Sequence, residues 1–199
     1  AAGTPLVDTA SALAPTGDST IDAATAGIMA GILTFNHGSQ IVIVVDGPQE
    51  IVAHVNDILA IATGARVNLS TPITAEQAQT LVPLGTANML SFSAGQHLTI
   101  HDTYAHLIAN ANAAGLALGT SISVLDSVAN ILTATNHDWG SVVPSYVMTA
   151  DGTVNATQAG HIAALGSHFT RNGFALTVQD SATAIIAADA DIHTLGASA

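Results

Sequence analysis

Nine histidines are the side chains of this chain best suited to chemistry: His37, His54, His97, His101, His106, His137, His161, His168 and His193. Imidazole ligates metals and changes charge near neutral pH. A metal site needs several ligands converging at fixed spacing, as in H-E-x-x-H on a helix. His97 and His101 flank Leu98–Ile100, which reads as a strand, and His106 follows Asp102 by four on the next expected helix. His101 and His106 converge only if the turn between them folds back. No carboxylate-rich or H-E-x-x-H pattern accompanies them, so isolated or hydrogen-bonded imidazoles are expected, with no metal and no cofactor. Protonating all nine would take the formal charge from −12 to −3 and weaken repulsion between molecules.

The loop HDWGSVVPSY holds the other chemical candidates, Asp138, Trp139 and Tyr146. An indole and a phenol near a carboxylate suit a sugar or another small ligand; the alternative is that Trp139 covers the edge of the core. Catalysis has less support. No G-x-S-x-G elbow, G-x-x-x-x-G-K loop or G-x-G-x-x-G fingerprint is present, and most acidic residues have a structural explanation, so no catalytic residue is assigned.

Composition narrows the classes further. Lys and Arg together number 2 against 14 Asp and Glu, the two being Arg66 and Arg171, which leaves no electrostatic footprint for nucleic acid or anionic lipid. Cysteine is absent, excluding disulfides and thiolate chemistry and agreeing with export. No apolar run is longer than Ile41 to Val45, which is too short to cross a membrane. With 49% hydrophobic but only 4% aromatic residues, the core must be built from Ala, Val, Ile and Leu. The chain starts at Ala1 without Met and reads as a processed or excised piece of something larger.

The elements that must carry these side chains repeat. TPLVDTASALA from Thr4, VIVVDGPQEIV from Val42, LTIHDTYAHLI from Leu98, ISVLDSVANIL from Ile122 and LTVQDSATAII from Leu176 share one Asp. In the last four, the positions two and four before Asp are apolar, the alternation of a strand; Thr4 breaks it in the first. Five after Asp stand Leu13, Ile51, Leu107, Ile131 and Ile185, where the period becomes helical. Asp8, Asp46, Asp102, Asp126 and Asp180 are therefore expected as helix N-caps, since a carboxylate accepts from the unpaired first N–H groups. A second segment type, IDAATAGIM, ITAEQAQTL and VNATQAGHI, places its caps at Asp22, Thr74 and Asn155. Thr74 with Gln77, Asn155 with Gln158, and Asp46 with Gln49 have capping-box spacing, Pro48 sitting in the tolerant first turn of the last.

After a shortened first unit the caps recur every 24 to 29 residues. That period predicts an α/β chain, a right-handed parallel strand-helix solenoid of about eight coils over residues 1–199 as one domain, the alternative being a compact α/β sandwich. Seven steps at about 4.8 Å would make a rod of roughly 35 Å.

LTVQDSATAIIAADADIHTL, SVLDSVANILTATN and YVMTADGTVNATQAGHIAAL resemble the alternating DTAANI-type and LTxxQA-type units of very large bacterial proteins exported by type I secretion. The likeness runs from about Ile41 onward, with a weaker copy before it. It implies an extracellular or cell-surface array such as an adhesin, biofilm matrix protein, surface layer or fibre. The chain lacks the GGxGxD calcium repeats such proteins often carry. The expected function is a non-catalytic structural or adhesive repeat protein whose partners are other copies of itself, head to tail, or neighbouring repeats of a longer chain, with surface glycan as a further partner. A secreted metal-, haem- or small-ligand-binding protein using His and Trp139 is the second expectation, and a polysaccharide-acting solenoid enzyme the third.

Overall fold

A computed structural model describes residues 15–32, 35–68, 71–92, 97–109, 113–119 and 121–196. The chain is α/β, with parallel strands joined by helices, and divides into two compact units: residues 1–71 with 80–96, and 72–79 with 97–199. Among the described residues no helix is long and apolar enough to cross a membrane.

In the first unit β1 (Ser19–Ile21), β2 (Val42–Asp46), β3 (Gly64–Val67) and β4 (Leu90–Phe92) form a sheet in chain order, each parallel to the next. Parallel neighbours require crossover connections. Here α1 (Ala23–Ala30), α2 (Pro48–Ala53), α3 (Val55–Ile61) and α5 (Val82–Thr86) lie in those crossovers. The second unit begins with most of α4 (Ala75–Thr80), and Ile73 before it bridges Ile100 in parallel. Its main sheet runs β5 (Thr99–Asp102), β6 (Ser121–Asp126), β7 (Ser145–Met148), β9 (Phe169–Thr170), while β8 (Gly152–Val154) pairs with β10 (Leu176–Val178). The intervening helices are α6 (Tyr104–Leu107), α7 (Ala113–Leu116), α8 (Val128–Ala134) and α9 (Ala156–Ala163), followed by α10 (Ala182–Ala187) and α11 (Asp189–Leu195).

Alternation decides which residues enter the core. Val42 and Val44, Leu98 and Ile100, Ile122 and Val124, and Leu176 and Val178 are all buried, as are Ile51, Leu107 and Ile131 from the following helices. Each such side chain contributes about 1.5–3 kcal/mol by leaving water. The last segment differs: Ile185 is only half-buried and Ile186 is exposed. Small residues allow close approach of helices. A Cβ on Gly115 of α7 would collide with the Gln79 backbone, and the Gly115 N–H donates to Gln79 Oε1 at 2.8 Å.

The caps divide into two kinds. Asp22 caps α1, its Oδ1 accepting from Thr25 N–H, and Asn155 caps α9 in a reciprocal box with Gln158. Thr74 and Gln77 exchange the same two bonds at α4. Asp8 lies outside the described residues. For Asp46, Asp102, Asp126 and Asp180 the expected role is corrected: the N-caps are the next residues, Gly47, Thr103, Ser127 and Ser181. Each Asp instead bridges two segments. Its Oδ1 accepts from the N–H of that next residue, at 2.7 to 2.8 Å. Its Oδ2 accepts from the first N–H of a helix 22 to 27 residues earlier: Ala23 from Asp46, Ala75 from Asp102, Tyr104 from Asp126, Ala156 from Asp180.

The reason is a donor the local cap leaves unserved. A capping side chain takes the third N–H of its helix, and the first still needs an acceptor. The neighbouring strand ends where a carboxylate can supply one, at the positive end of the helix dipole. Where Pro48 opens α2 there is no N–H to serve, and the cap of the following repeat, Thr74, is preceded by Ile73 rather than Asp.

Asp126 is the most enclosed of these carboxylates, at 9% exposure, and it also accepts from Asn130 Nδ2. Asp126→Ala should lower unfolding free energy by about 3 kcal/mol, because charge-assisted bonds are lost and donors are left unpaired. Ser127→Ala should cost about 1 kcal/mol, the ordinary loss of a cap. Urea titration of both variants checks this, and equal losses would refute the bridging role.

Candidate functional site

A cluster of three rings lies in the second unit, where α8 ends. The last carbonyls of a helix lack partners, and here side chains from the following loop supply them. Trp139 Nε1–H donates to Ala134 O at 3.0 Å, and Asn136 Nδ2 and Thr135 Oγ1 donate to Leu132 O. Asp138 Oδ1 accepts from Gly140 N–H at 2.9 Å, and Gly140 takes φ +63°, where glycine has no Cβ penalty. This turn throws His137 and Trp139 to one side.

Three rings then meet edge to face. His137 and Trp139 have centroids 4.7 Å apart, Tyr104 lies 5.9 Å from His137 and 6.4 Å from Trp139, and the interplanar angles are 67° to 75°. Such contacts match the positive edge of one ring to the negative face of another. Tyr104 opens α6, where its backbone N–H is held by Asp126, so the bridge that joins two repeats also sets the base of the cluster. Beside it is a solvent-open cavity of about 390 Å³, with Leu116, Ile122 and Val142 as its apolar wall and His137, Asp138, Trp139 and Ser141 as its polar side.

Of the residues singled out in the sequence, Asp138 is exposed and Trp139 half-buried, and both line this cavity. Tyr146 does not line it. It points into the core from β7 with 5% exposure, so its candidacy as a ligand contact is withdrawn. Burial pushes its hydroxyl above the usual tyrosine range, while the hydrogen bond from Trp139 acts in the opposite direction. Tyr104 and His137 were not singled out as partners of Trp139. Tyr104 stands in the preceding repeat, and no local spacing signals the meeting.

Two other histidines make local contacts. His106 Nδ1 is 2.8 Å from Asp102 Oδ1, and His54 Nδ1 is 2.9 Å from Asp57 Oδ2. Among the described residues no three His, Asp or Glu side chains converge as metal ligands. A second cavity, of about 490 Å³, is lined by Ser167, Arg171 and Thr194 among others; there the Arg171 Nη1–H donates to Gly196 O just beyond α11. The cation is engaged in holding a helix end.

Comparison with family models, curated proteins and solved structures finds no match to this chain.

His101, at the end of β5, is partly buried, and loss of solvent lowers its pKa from the ordinary 6.5. The unfolded chain therefore binds the proton more readily. Stability from this group is complete above the unfolded value and declines as pH falls through it towards the folded value. The exposed Asp22, lowered by its bonds to Thr25, loses its contribution only below its ordinary 3.8. His101→Gln should flatten the stability curve between about pH 7.5 and 5. Denaturant titration across that range checks it, an unchanged slope assigning the effect elsewhere.

Proposed function

We propose that the protein is a non-catalytic, secreted structural repeat protein, a strand-helix solenoid whose copies associate end to end in a filament, surface layer or biofilm matrix. The observation that carries this reading is the aspartate bridge, four times repeated at 22 to 27 residues, which ties each strand end to the helix of the repeat before it. A module of that kind stabilises itself only through a neighbour. Parallel pairing of consecutive strands from β1 to β4 and from β5 to β7 supports the same construction, while the pairs β7–β9 and β8–β10 each skip one strand. Non-catalytic character is supported by the use of these carboxylates, whose oxygens are engaged by backbone N–H groups.

End-to-end association is supported by apolar side chains near both limits of the described chain. Ile186 on α10 is 75% exposed and Ile28 on α1 is 73% exposed. In α10 no residue is buried, and among the described residues no carboxylate accepts from the N–H of Ala182, the position bridged in four other helices. A contact between two different surfaces propagates instead of closing a dimer. Secretion and a surface location rest on the resemblance to type I-secreted repeat units and on the absence of cysteine.

Negative-stain microscopy with light scattering over a concentration and pH series tests the proposal. The expected result is concentration-dependent assemblies that lengthen between about pH 8 and pH 6 as imidazoles gain charge and repulsion falls. Ile186→Glu should keep the protein monomeric with its melting temperature retained. A wild-type chain that stays monomeric at every concentration would overturn self-assembly.

A further inference from the structure

We propose that the cavity beside Trp139 is a binding site for a neutral pyranose ring, such as one residue of a surface polysaccharide. The inference stands independently of end-to-end association, because every contributing residue lies within the second unit.

Three features converge on that ligand class. First, the platform is preorganised. Trp139 is anchored through Nε1 to Ala134 O and braced by the rings of His137 and Tyr104, so little side-chain freedom is left to lose on binding. The C–H face of a pyranose is apolar and slightly positive, and an indole face is apolar and negative. Second, polar groups stand beside that platform. Asp138 uses Oδ1 within the turn, and among the described residues nothing engages Oδ2; the Ser141 hydroxyl lines the same side. A carboxylate oxygen and a hydroxyl are suited to sugar hydroxyls, which both donate and accept. Third, the cavity has the volume of a small-ligand site and opens to solvent, as recognition of one ring within a longer chain requires.

Charge selects against other ligands. No Lys or Arg lines the cavity, Asp138 contributes negative charge, and the chain carries a formal −12, so phosphates and carboxylates are disfavoured. A quaternary ammonium ion is the competing chemistry that aromatic rings attract.

Trp139 is the only tryptophan, so intrinsic fluorescence reports this site without a label. The full chain is titrated with dextran, mannan and galactan, with the methyl glycosides of their sugars, and with tetramethylammonium chloride at equal ionic strength. The expected result is a saturable emission change with at least one neutral saccharide, confirmed by calorimetry and absent with tetramethylammonium. Trp139→Ala should weaken calorimetric binding by about tenfold or more, and Asp138→Ala, altering an exposed loop, by roughly threefold to tenfold. Ile186→Glu should leave affinity unchanged, which separates this site from self-association. Absence of saturable binding by every saccharide, saturation by tetramethylammonium alone, or full affinity in both the Trp139→Ala and Asp138→Ala variants would overturn the proposal.

Discussion

The first N–H of a helix has no partner inside that helix, and in this protein a carboxylate from another repeat supplies one. Four aspartates do this in the same way, one oxygen to the backbone of their own turn and the other to a helix start 22 to 27 residues earlier. The bond is charge-assisted and sits at the positive end of the helix dipole, which makes it strong for its length. It also sets register. A strand displaced by one residue would carry its Asp away from the N–H and turn its buried Val or Ile outward, so polar and apolar terms favour the same pairing.

That agreement explains how a chain with few aromatics holds its form. Val, Ile, Leu and Ala fill the core, and closeness substitutes for bulk where Gly115 lets α7 approach the backbone around Gln79. Variation in repeat length is absorbed in the connections, where Gly38, Gly140 and Gly173 take positive φ. Helices as short as α6 would not persist alone; with Thr103 at the third N–H and Asp126 at the first, its start is satisfied twice over.

The aromatic cluster is a consequence of the same bridge. Asp126 belongs to the strand that precedes α8, and it holds the backbone of Tyr104 one repeat earlier. The loop after α8 then returns Trp139 and His137 to that tyrosine. A ring cluster thus arises from residues of two successive segments, unremarkable within either one.

Local chemistry was legible in the amino-acid order. Alternating Val42 and Val44, or Leu176 and Val178, name strands, and Asn155 with Gln158 or Thr74 with Gln77 name helix starts, because these signals act over four residues or fewer. The order Asp-Ser or Asp-Thr was ambiguous, since either residue can cap, and Ser127 and Thr103 take the role that Asp126 and Asp102 seemed to claim. Tyr146 misled for a related reason: proximity to Trp139 in sequence does not say which face of β7 it occupies, and it faces the core. The partner of each aspartate, and of Trp139, lies a whole repeat away. Only stacking one segment on another creates those distances, so the tertiary structure alone decided that the carboxylates are bridges and that Tyr104 meets the tryptophan ring to ring while Tyr146 is buried.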